Sequence, residues 1–565
     1  MIGRYRLRNR RLASVLALNE RLERIGNQRA QALYFDVRGQ FRFTVPKDTP
    51  LTTPGGIRVP VLTGEVVLRF CRGGRVSAVG IEPGTDKPYR SPLNVGDVAT
   101  EPQGTGPTLP NGIAEGATSA TYSGTTPIVD GWYFLQDRND VEIHAITEEE
   151  RRIGGELVQV KSVNTTTHTV ELHQAAGRPY RSNAQGGNTI LSSTPLDRAC
   201  VNVGIRNFRG SGIRDIANQR GTIAVINAHY VAGLSLQNCN VTNSYSAGTA
   251  LQYCRDVTIS RHNATLIGDA AGSTGQGYSL QIKQCANSII RDAWARDARY
   301  ACQFEAGCTT FDLSRASGNT LIGAAVVDIH GGESYNGTMS MVVGQAGQSV
   351  QLGNSSWLRG AKYITLSDSA FEKLRIDGSV VDSNIEDCAI GYVQLASAYY
   401  DPLSLLYVPT NIKFEQCNFA GVTNFETIKF DEGNWNQYVN IQFKTCTVTA
   451  LNTALMTMPN QDDATTISFT NGCTLNAASN SSMMIAEGSS ASITFSSCSF
   501  HLSSGMLHGL PRYLIVKTLN DENLGYFIDA TNGGTTPNTR IPDPANPSVN
   551  RNVNSSDTNW NYDSN

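Results

Sequence analysis

Short stretches in which apolar and polar residues alternate recur along this chain. In "NIKFEQCNFA", which begins at Asn411, and "NIQFKTCTVTA", which begins at Asn440, two apolar residues flank a polar one and a cysteine follows. An alternation with a period of two places the apolar side chains on one face of a β-strand. Related segments are "LSLQNCNV", "TISFTNGCTL" and "SITFSSCSF". The pattern therefore predicts many short strands.

The strands recur at a regular interval. Cys388, Cys417, Cys446, Cys473 and Cys498 are separated by 29, 29, 27 and 25 residues. A second series ("LQYC", "LQIK", "CQFE", "VDIH", "VQLG", "LRID") recurs every 22 to 29 residues. Such periods predict a solenoid in which each strand lies beside its counterpart one turn earlier. A propeller or an array of β-sandwiches is the alternative, but propeller blades need about 40 residues.

We therefore predict an all-β protein built on a right-handed parallel β-helix over residues 196–515, with the recurring cysteines stacked in its interior. The flanking segments predict a basic N-terminal anchoring helix over 1–35, a small β adaptor domain and linker over 36–128, and a β subdomain over 129–195 that caps the coil. The final segment, 516–565, is rich in Asn, Pro and Ser near its end and predicts a tail that is disordered or held by neighbouring subunits. The N-terminal helix either bundles with its copies, docks on a partner or packs on its own domain. Its basic residues are Arg4, Arg6, Arg8, Arg10 and Arg11.

Composition narrows the possible classes. Charged residues make up 17% of the 565 residues and the net charge is −3, so no global field indicates nucleic acid or membrane binding. The apolar run from Leu12 to Leu18 is short and leads to no small-residue cleavage site, so we expect no signal peptide. Reduced interior cysteines also fit a protein that folds in a cytosol. The eight histidines show no metal-ligand spacing, and we expect neither a metal nor another cofactor.

Several of these features together resemble bacteriophage tailspike proteins. They are the basic N-terminal segment, the small β domain, the run "DGWYFLQD…GELVQVKSV…HTVELHQ" and the β-helix that follows. The chain departs from many such proteins because it has no "DFGA…GDGxTDDT" segment. The resemblance implies a homotrimer in the virion, attached through its N-terminus to a tail or capsid protein. It also implies a β-helix that binds, and often cleaves, a bacterial surface polysaccharide.

Carbohydrate cleavage requires two carboxylates a few ångströms apart, and the predicted strand alignment identifies one pair. Glu305 and Asp328 lie one turn and two residues apart on the outer face, which makes them the candidate catalytic residues. His330, Lys283 and Glu333 lie nearby in a supporting position. The candidate sugar-stacking residues are Trp294, Tyr300 and Tyr335. The alternative is a solvated ladder of alternating charges from Lys283 through Glu305 to His330, beside a hydrogen-bonded glutamine ladder of Gln252, Gln281 and Gln303.

A second candidate binding site is the loop "FDEGNWNQY", which carries Asp431, Glu432 and Trp435. Three functions remain open from the sequence. The first is a tailspike that depolymerises a surface polysaccharide by hydrolysis or elimination. The second is a non-catalytic virion spike or fibre, and the third is a secreted bacterial polysaccharide lyase or epimerase.

Overall fold

The protein is represented by a computed structural model, in which two compact units can be distinguished. The first comprises Met1–Glu142 and Glu150–Thr338, and the second comprises Ile143–Glu149 and Met339–Asn565. The structure describes residues 3–8, 19–20, 33–45, 56–59, 66–81, 91–96, 102, 104–143, 150–152, 154–194, 199–215, 217, 220–268, 276–319, 325–330, 333–345, 347–353, 359–400, 405–430, 438–451, 455–459, 465–477, 484–487, 492–496, 498–502, 513–517, 526–528, 539–543 and 546–553.

The first strands of the chain already belong to a coil of parallel strands. They are β1 (Gly3–Arg8), β2 (Leu33–Val45), β3 (Ile57–Val59), β4 (Val66–Ile81) and β5 (Leu93–Gly96). Strand β1 pairs in parallel with β2, β2 with β4, and β3 with β5. Gly3–Arg8 therefore form a strand and not part of the predicted N-terminal helix. Asn19 and Glu20 are helical, and they are the two described residues between β1 and β2.

An antiparallel sheet is inserted after β5. Its segment contains β6 (Ser119–Thr121), β7 (Trp132–Asp137), β8 (Val141–Ile143), β9 (Glu150–Arg152), β10 (Glu156–Asn164), β11 (Thr169–Leu172), the 3-10 helix Asn183–Gln185 and β12 (Thr189–Ser193). Strands β12, β7, β10, β11 and β6 form one five-stranded sheet in that order. The stretch expected to be a linker is part of it, because Ile113 bridges to Tyr180 and β6 pairs with β11.

The coil of the first unit continues after the insert. Its strands are β13 (Cys200–Arg206), β14 (Arg209–Ser211), β15 (Arg214–Asp215), β16 (Arg220–Gly221), β17 (Ala224–His229), β18 (Val231–Ser244), β19 (Ala247–Gln252), β20 (Arg255–Ile267), β21 (Tyr278–Lys283), β22 (Ala286–Arg296), β23 (Cys302–Glu305), β24 (Thr309–Asn319), β25 (Ala325–His330) and β26 (Ser334–Ser340). One wall stacks β4, β13, β18, β20, β22 and β24 in parallel, and another stacks β5, β17, β19, β21, β23 and β25.

These pairings change the expected domain boundaries. Val203 of β13 pairs with Val66, and Ile226 of β17 pairs with Leu93, so residues 33–96 supply coil turns rather than a separate adaptor domain. The insert packs along the side of this coil, where Trp132, Phe134 and Leu157 share an apolar cluster with Tyr230 and Tyr253. The insert was expected to cap the end of the coil. It does not, because coil strands precede it in the sequence as well as follow it, and these strands pair with each other.

The second unit contains the remaining strands. They are β27 (Ser349–Leu352), β28 (Arg359–Ser367), β29 (Ala370–Asp377), β30 (Ser379–Glu386), β31 (Ala389–Ala396), β32 (Ala398–Tyr400), β33 (Leu405–Tyr407), β34 (Thr410–Glu415), β35 (Asn418–Phe419), β36 (Ile428–Phe430), β37 (Val439–Lys444), β38 (Thr447–Ala450), β39 (Met456–Pro459), β40 (Thr466–Thr470), β41 (Thr474–Ala477), β42 (Met484–Glu487), β43 (Ser492–Ser496), β44 (Ser499–Leu502), β45 (Tyr513–Lys517), β46 (Tyr526–Ile528), β47 (Thr539–Asp543) and β48 (Asn546–Val553). Strands β28, β30, β34, β37, β40, β43 and β45 stack in parallel, whereas β47 and β48 form an antiparallel hairpin within the expected tail. The predicted parallel β-helix is confirmed.

In the interior of the second unit, side chains of the same type stack on one another from turn to turn. Phe443 stacks between Phe414 and Phe469, with ring centroids 4.7 and 4.6 Å away. A thiol column runs beside it, in which the backbone N–H of Cys446 donates to Cys473 Sγ at 3.4 Å. All twelve cysteines of the chain are free thiols, and ten of them are buried. The interior cysteine ladder predicted from the spacing is therefore present.

The corners of the coil depend on left-handed backbone residues that recur in register. In the first unit one such column comprises Asn202, Gly233, Asp256, Asn287 and Thr310, with φ between 50° and 77°. Asn, Asp and Gly adopt this conformation at little cost, which explains their frequency in the turns. The Asn287 side-chain amide donates to Asp256 at 2.5 Å, so the corner is also a polar ladder.

Candidate functional site

Two polar columns run along the wall formed by β17, β19, β21, β23 and β25. Register pairs Gln281 with Gln303 and Gln303 with Asp328 in the first column. The second column, in order of strands, is His229, Gln252, Lys283, Glu305 and His330. Glu305 and Asp328 thus lie one turn and two residues apart, as the sequence predicted.

The predicted glutamine ladder needs one correction. Gln252 is paired with Lys283, whereas Ala250 occupies the position next to Gln281. The ladder therefore consists of Gln281 and Gln303, whose side chains are joined by a hydrogen bond of 3.0 Å. The identical letters "LQ" in two strands suggested an alignment that is two residues away from the true one.

Glu305 is the carboxylate of this wall that solvent can reach. Its side chain is 21% exposed, and its Oε1 lies 3.0 Å from Lys283 Nζ. Its second oxygen accepts a hydrogen bond of 2.9 Å from Gln281 Nε2. Both contacts fix the orientation of the carboxylate, and the Lys283 contact is one step of the alternating-charge ladder that was the alternative interpretation.

Asp328 is fully buried, unlike its predicted partner. Its Oδ2 forms a hydrogen bond with His330 Nδ1, and Gln303 Nε2 lies 3.4 Å from the same oxygen. Its Oδ1 has no hydrogen-bond partner among the described residues. Because its side chain is fully buried, Asp328 is not accessible to a ligand on the surface, and its hydrogen-bond contacts are with His330 and Gln303.

The His330 side chain is 14% exposed, so it is the member of this pair that solvent reaches. Burial alone would lower the pKa of His330, but the adjacent Asp328 carboxylate, with a smaller contribution from Glu305, raises it above the ordinary value. The wall therefore presents a carboxylate and a carboxylate-backed imidazole on adjacent turns. Carboxylate and imidazole side chains are the groups that most often act as general acids and bases in enzymes.

Two tyrosines and an arginine border the charged groups. The rings of Tyr278 and Tyr300 are 5.6 Å apart, and the Arg299 guanidinium lies 4.8 Å from the centroid of Tyr300. Burial, assisted by the nearby Glu305 carboxylate, raises the pKa of Tyr278 to about 12, so its hydroxyl stays protonated. Tyr278 and Arg299 were missed from the sequence. The repeated pattern Tyr-x-x-Gln in "YSLQIK" and "YACQFE" is the signal that could have identified Tyr278.

The other predicted residues lie elsewhere or are inaccessible. Trp294 belongs to β22, on the other wall, where it pairs with Asn263 and is 38% exposed. Tyr300 and Tyr335 are both buried, and the Tyr335 hydroxyl donates to Glu115 of the insert at 3.2 Å, so neither offers an open ring face for a sugar. Glu333 is partly buried. Burial alone would lower the pKa of Arg178, but Tyr180, Asp140 and, to a smaller extent, Glu333 raise it above the ordinary value.

The remaining candidates fall largely outside the described residues. Asp431, Glu432 and Trp435 of the second candidate loop lie there, as do Arg10 and Arg11. Arg4, Arg6 and Arg8 lie in β1. Within the part of the chain that the structure describes, no helix is long and apolar enough to cross a membrane.

Comparisons with known proteins give structural matches only. No protein-family model matches the chain, and no curated protein matches its sequence significantly. The tailspike protein gp49 from Pseudomonas phage LKA1 is 14% identical with a TM-score of 0.39, over 89% of this chain and 74% of that one. The Pseudomonas phage phi297 tailspike gp61 is 12% identical with a TM-score of 0.39, over 90% and 73%.

A third match is the Gp54 tailspike of Acinetobacter baumannii bacteriophage AP22, solved in complex with A. baumannii capsular saccharide. It is 12% identical with a TM-score of 0.33, over 90% of this chain and 66% of that one. At these identities and TM-scores, the matches by themselves assign this chain no substrate and no partner.

Proposed function

We propose that this chain is a tailspike-type protein that binds a bacterial surface polysaccharide along the wall of β21, β23 and β25, and cleaves it there. The observation that carries the proposal is the pairing of Glu305 with His330 on adjacent turns, with the buried Asp328 behind the imidazole. The sequence resemblance to tailspikes adds the expectation of a homotrimer attached to the virion through its N-terminal residues. The chain is then a virion component that folds in the host cytosol.

In the proposed chemistry, Glu305 and His330 act as the general acid and the general base. In hydrolysis one of them protonates the glycosidic oxygen while the other removes a proton from the attacking water. In elimination the imidazole removes a proton next to a sugar carboxylate, and the leaving oxygen takes a proton from Glu305. Asp328 is a positioning residue in both cases, and Gln281 and Lys283 hold the Glu305 carboxylate in place.

A non-catalytic receptor-binding spike is the second candidate, and the Lys283–Glu305 ion pair favours it. An ion-paired carboxylate beside a fully buried one is also the arrangement expected of a structural ladder. A secreted bacterial lyase or epimerase is the third candidate, and no contact on this wall favours it over the first.

The test is incubation of the purified protein with a panel of bacterial capsular and O-antigen polysaccharides. New reducing ends with no ultraviolet absorbance indicate hydrolysis, whereas absorbance from unsaturated sugars indicates elimination. Replacing Glu305 with glutamine should lower the rate roughly 100-fold or more, because it removes a positioned proton-transfer group. A matched control is Glu415→Gln, since Glu415 has a similar exposure of 23% and pairs with Lys444 at 2.5 Å on the second unit.

The outcomes separate the candidates. Binding to a polysaccharide without any product would overturn the cleavage and leave the receptor-binding spike. Cleavage at an unchanged rate by the Glu305→Gln variant would move the chemistry to another part of the molecule. Mass measurement in solution tests the homotrimer, and loss of incorporation into particles after truncation of residues 1–35 tests the anchoring role.

A further inference from the structure

A groove lies on the wall of the first unit that contains β4, β13 and β18, and arginine and asparagine side chains line much of it. Its volume is about 420 Å³, which is within the range of small-ligand sites. It lies where β4, β13, β14 and β18 pass a corner of the coil, at the left-handed residues Asn207 and Asn238. The residues that line it are Arg69, Phe70, Cys71, Gly74, Asn207, Arg209, Asn238 and Asn240.

The groove concentrates positive charge in a protein whose net charge is negative. Arg69 and Arg209 line it and are exposed. The register partners of Arg69 are the exposed Arg206 on β13 and Asp36 on β2. Arg209 forms no ion pair with any carboxylate among the described side chains, and no acidic residue is among the lining residues. Arg209 can therefore supply its charge to a bound anion.

The asparagines add uncharged hydrogen-bonding groups. Asn238 Nδ2 donates to Asn207 Oδ1 at 2.9 Å, and Asn240 Oδ1 accepts from Asn263 Nδ2 at 3.2 Å. These bonds hold the amides in fixed orientations along the corner. The floor is rigid as well, because the buried Phe70 packs edge-on against Phe208 with ring centroids 4.9 Å apart. A preorganised site loses less free energy when a ligand binds.

We propose that this groove binds an acidic saccharide, with the oxyanion of a sugar carboxylate or phosphate held by Arg69 and Arg209 and the sugar hydroxyls by the asparagine amides. Guanidinium groups bind carboxylate and phosphate through paired N–H donors, and amides match hydroxyl groups. A volume of about 420 Å³ exceeds what a single inorganic anion fills, which favours a saccharide over a free ion. The site lies on a different wall from Glu305 and does not depend on cleavage there.

The test measures binding of three probes to the full chain by calorimetry: hexagalacturonate, the neutral maltohexaose and inorganic phosphate. We expect hexagalacturonate to bind with an affinity that falls as salt rises, and maltohexaose to bind at least tenfold more weakly. Arg209→Gln and Arg69→Gln should each weaken hexagalacturonate binding about tenfold, which corresponds to one lost charge-assisted contact. Arg209→Lys should restore part of the affinity.

The control is Arg296→Gln, which removes an arginine that is 63% exposed and ion-paired with Asp297 on the same unit. An equal loss with this control would overturn the proposal, because it would indicate non-specific charge attraction. Equal affinity for maltohexaose, or for phosphate alone, would also overturn it, as would tighter binding of an acidic peptide, which would indicate a protein partner. Unchanged hexagalacturonate binding in Glu305→Gln would show that this site stands apart from the proposed cleavage site.

Discussion

Replacing Glu156 with glutamine should strongly destabilise the contact between the inserted sheet and the coil. The Glu156 side chain is fully buried and accepts hydrogen bonds from Gly177 N at 2.8 Å, Tyr180 Oη at 3.0 Å and Arg255 Nη1 at 2.8 Å. A glutamine of the same shape has a single acceptor oxygen, so its NH₂ group would face a donor in either orientation. It would also leave the Arg255 guanidinium buried without its counter-charge.

The expected cost is roughly 3–5 kcal/mol, the range for breaking a buried ion pair by removing one partner. Lost charge-assisted hydrogen bonds at about 1.5–3 kcal/mol each give a similar figure. Thermal unfolding would measure the change, and hydrogen exchange of the β10 and β11 amides would locate it. Glu171→Gln is the control, because Glu171 is 49% exposed and its pair with Lys161 at 3.6 Å should contribute about 1 kcal/mol or less.

A double substitution provides a second test of the role of this ion pair. Combining Glu156→Leu with Arg255→Met removes both charges, so it should cost clearly less than the sum of the two single changes. Additive costs, or a Glu156→Gln effect no larger than that of Glu171→Gln, would show that this ion pair does not hold the insert on the coil.

Three further predictions follow from the interior and the corners. Phe443→Ala should cost roughly 3–5 kcal/mol in chemical denaturation because it empties the centre of a stack, and Phe443→Leu should cost less; equal costs would contradict the stacking. Asn411, at a φ of 56°, should tolerate glycine but lose about 1–2 kcal/mol as valine, and a stable valine variant would contradict the left-handed corner. Burial lowers the pKa of His262 to about 4, so the unfolded chain binds the extra proton and stability should fall between about pH 6.5 and pH 4, by up to about 3 kcal/mol. His262→Gln should reduce this slope but not remove it, because burial also lowers the pKa of His229 to about 4; an unchanged slope would contradict the prediction.

The repetitive part of the fold was predictable because successive turns of the coil repeat the same alternation of apolar and polar residues. The first turns, in residues 33–96, were not recognised, because the insert separates them from the rest and interrupts the period. Alternation identifies Leu33–Val45 as a strand, but it does not specify that its neighbours are β1 and β4. Strand β4 continues through the Gly73-Gly74 pair, with an irregularity in its register with β2.

In the candidate site too, some features could be predicted from the sequence and others could not. Spacing correctly placed Lys283, Glu305 and His330 on successive turns, because a parallel coil converts intervals into neighbours. Spacing could not reveal that Asp328 is buried. The alternation along a strand shows which face a side chain lies on, but not whether other residues cover that face. Aromatic residues were chosen by proximity in sequence, and Trp294 proved to lie on another wall.

The most direct test of the proposed function is a crystal structure of the protein with an oligosaccharide from a polysaccharide that it binds. We predict a sugar within hydrogen-bond distance of Glu305 and His330, on the wall of β21, β23 and β25, with no direct contact to Asp328. Sugar density confined to other surfaces, with this wall empty and Glu305 still bound to Lys283, would contradict the account.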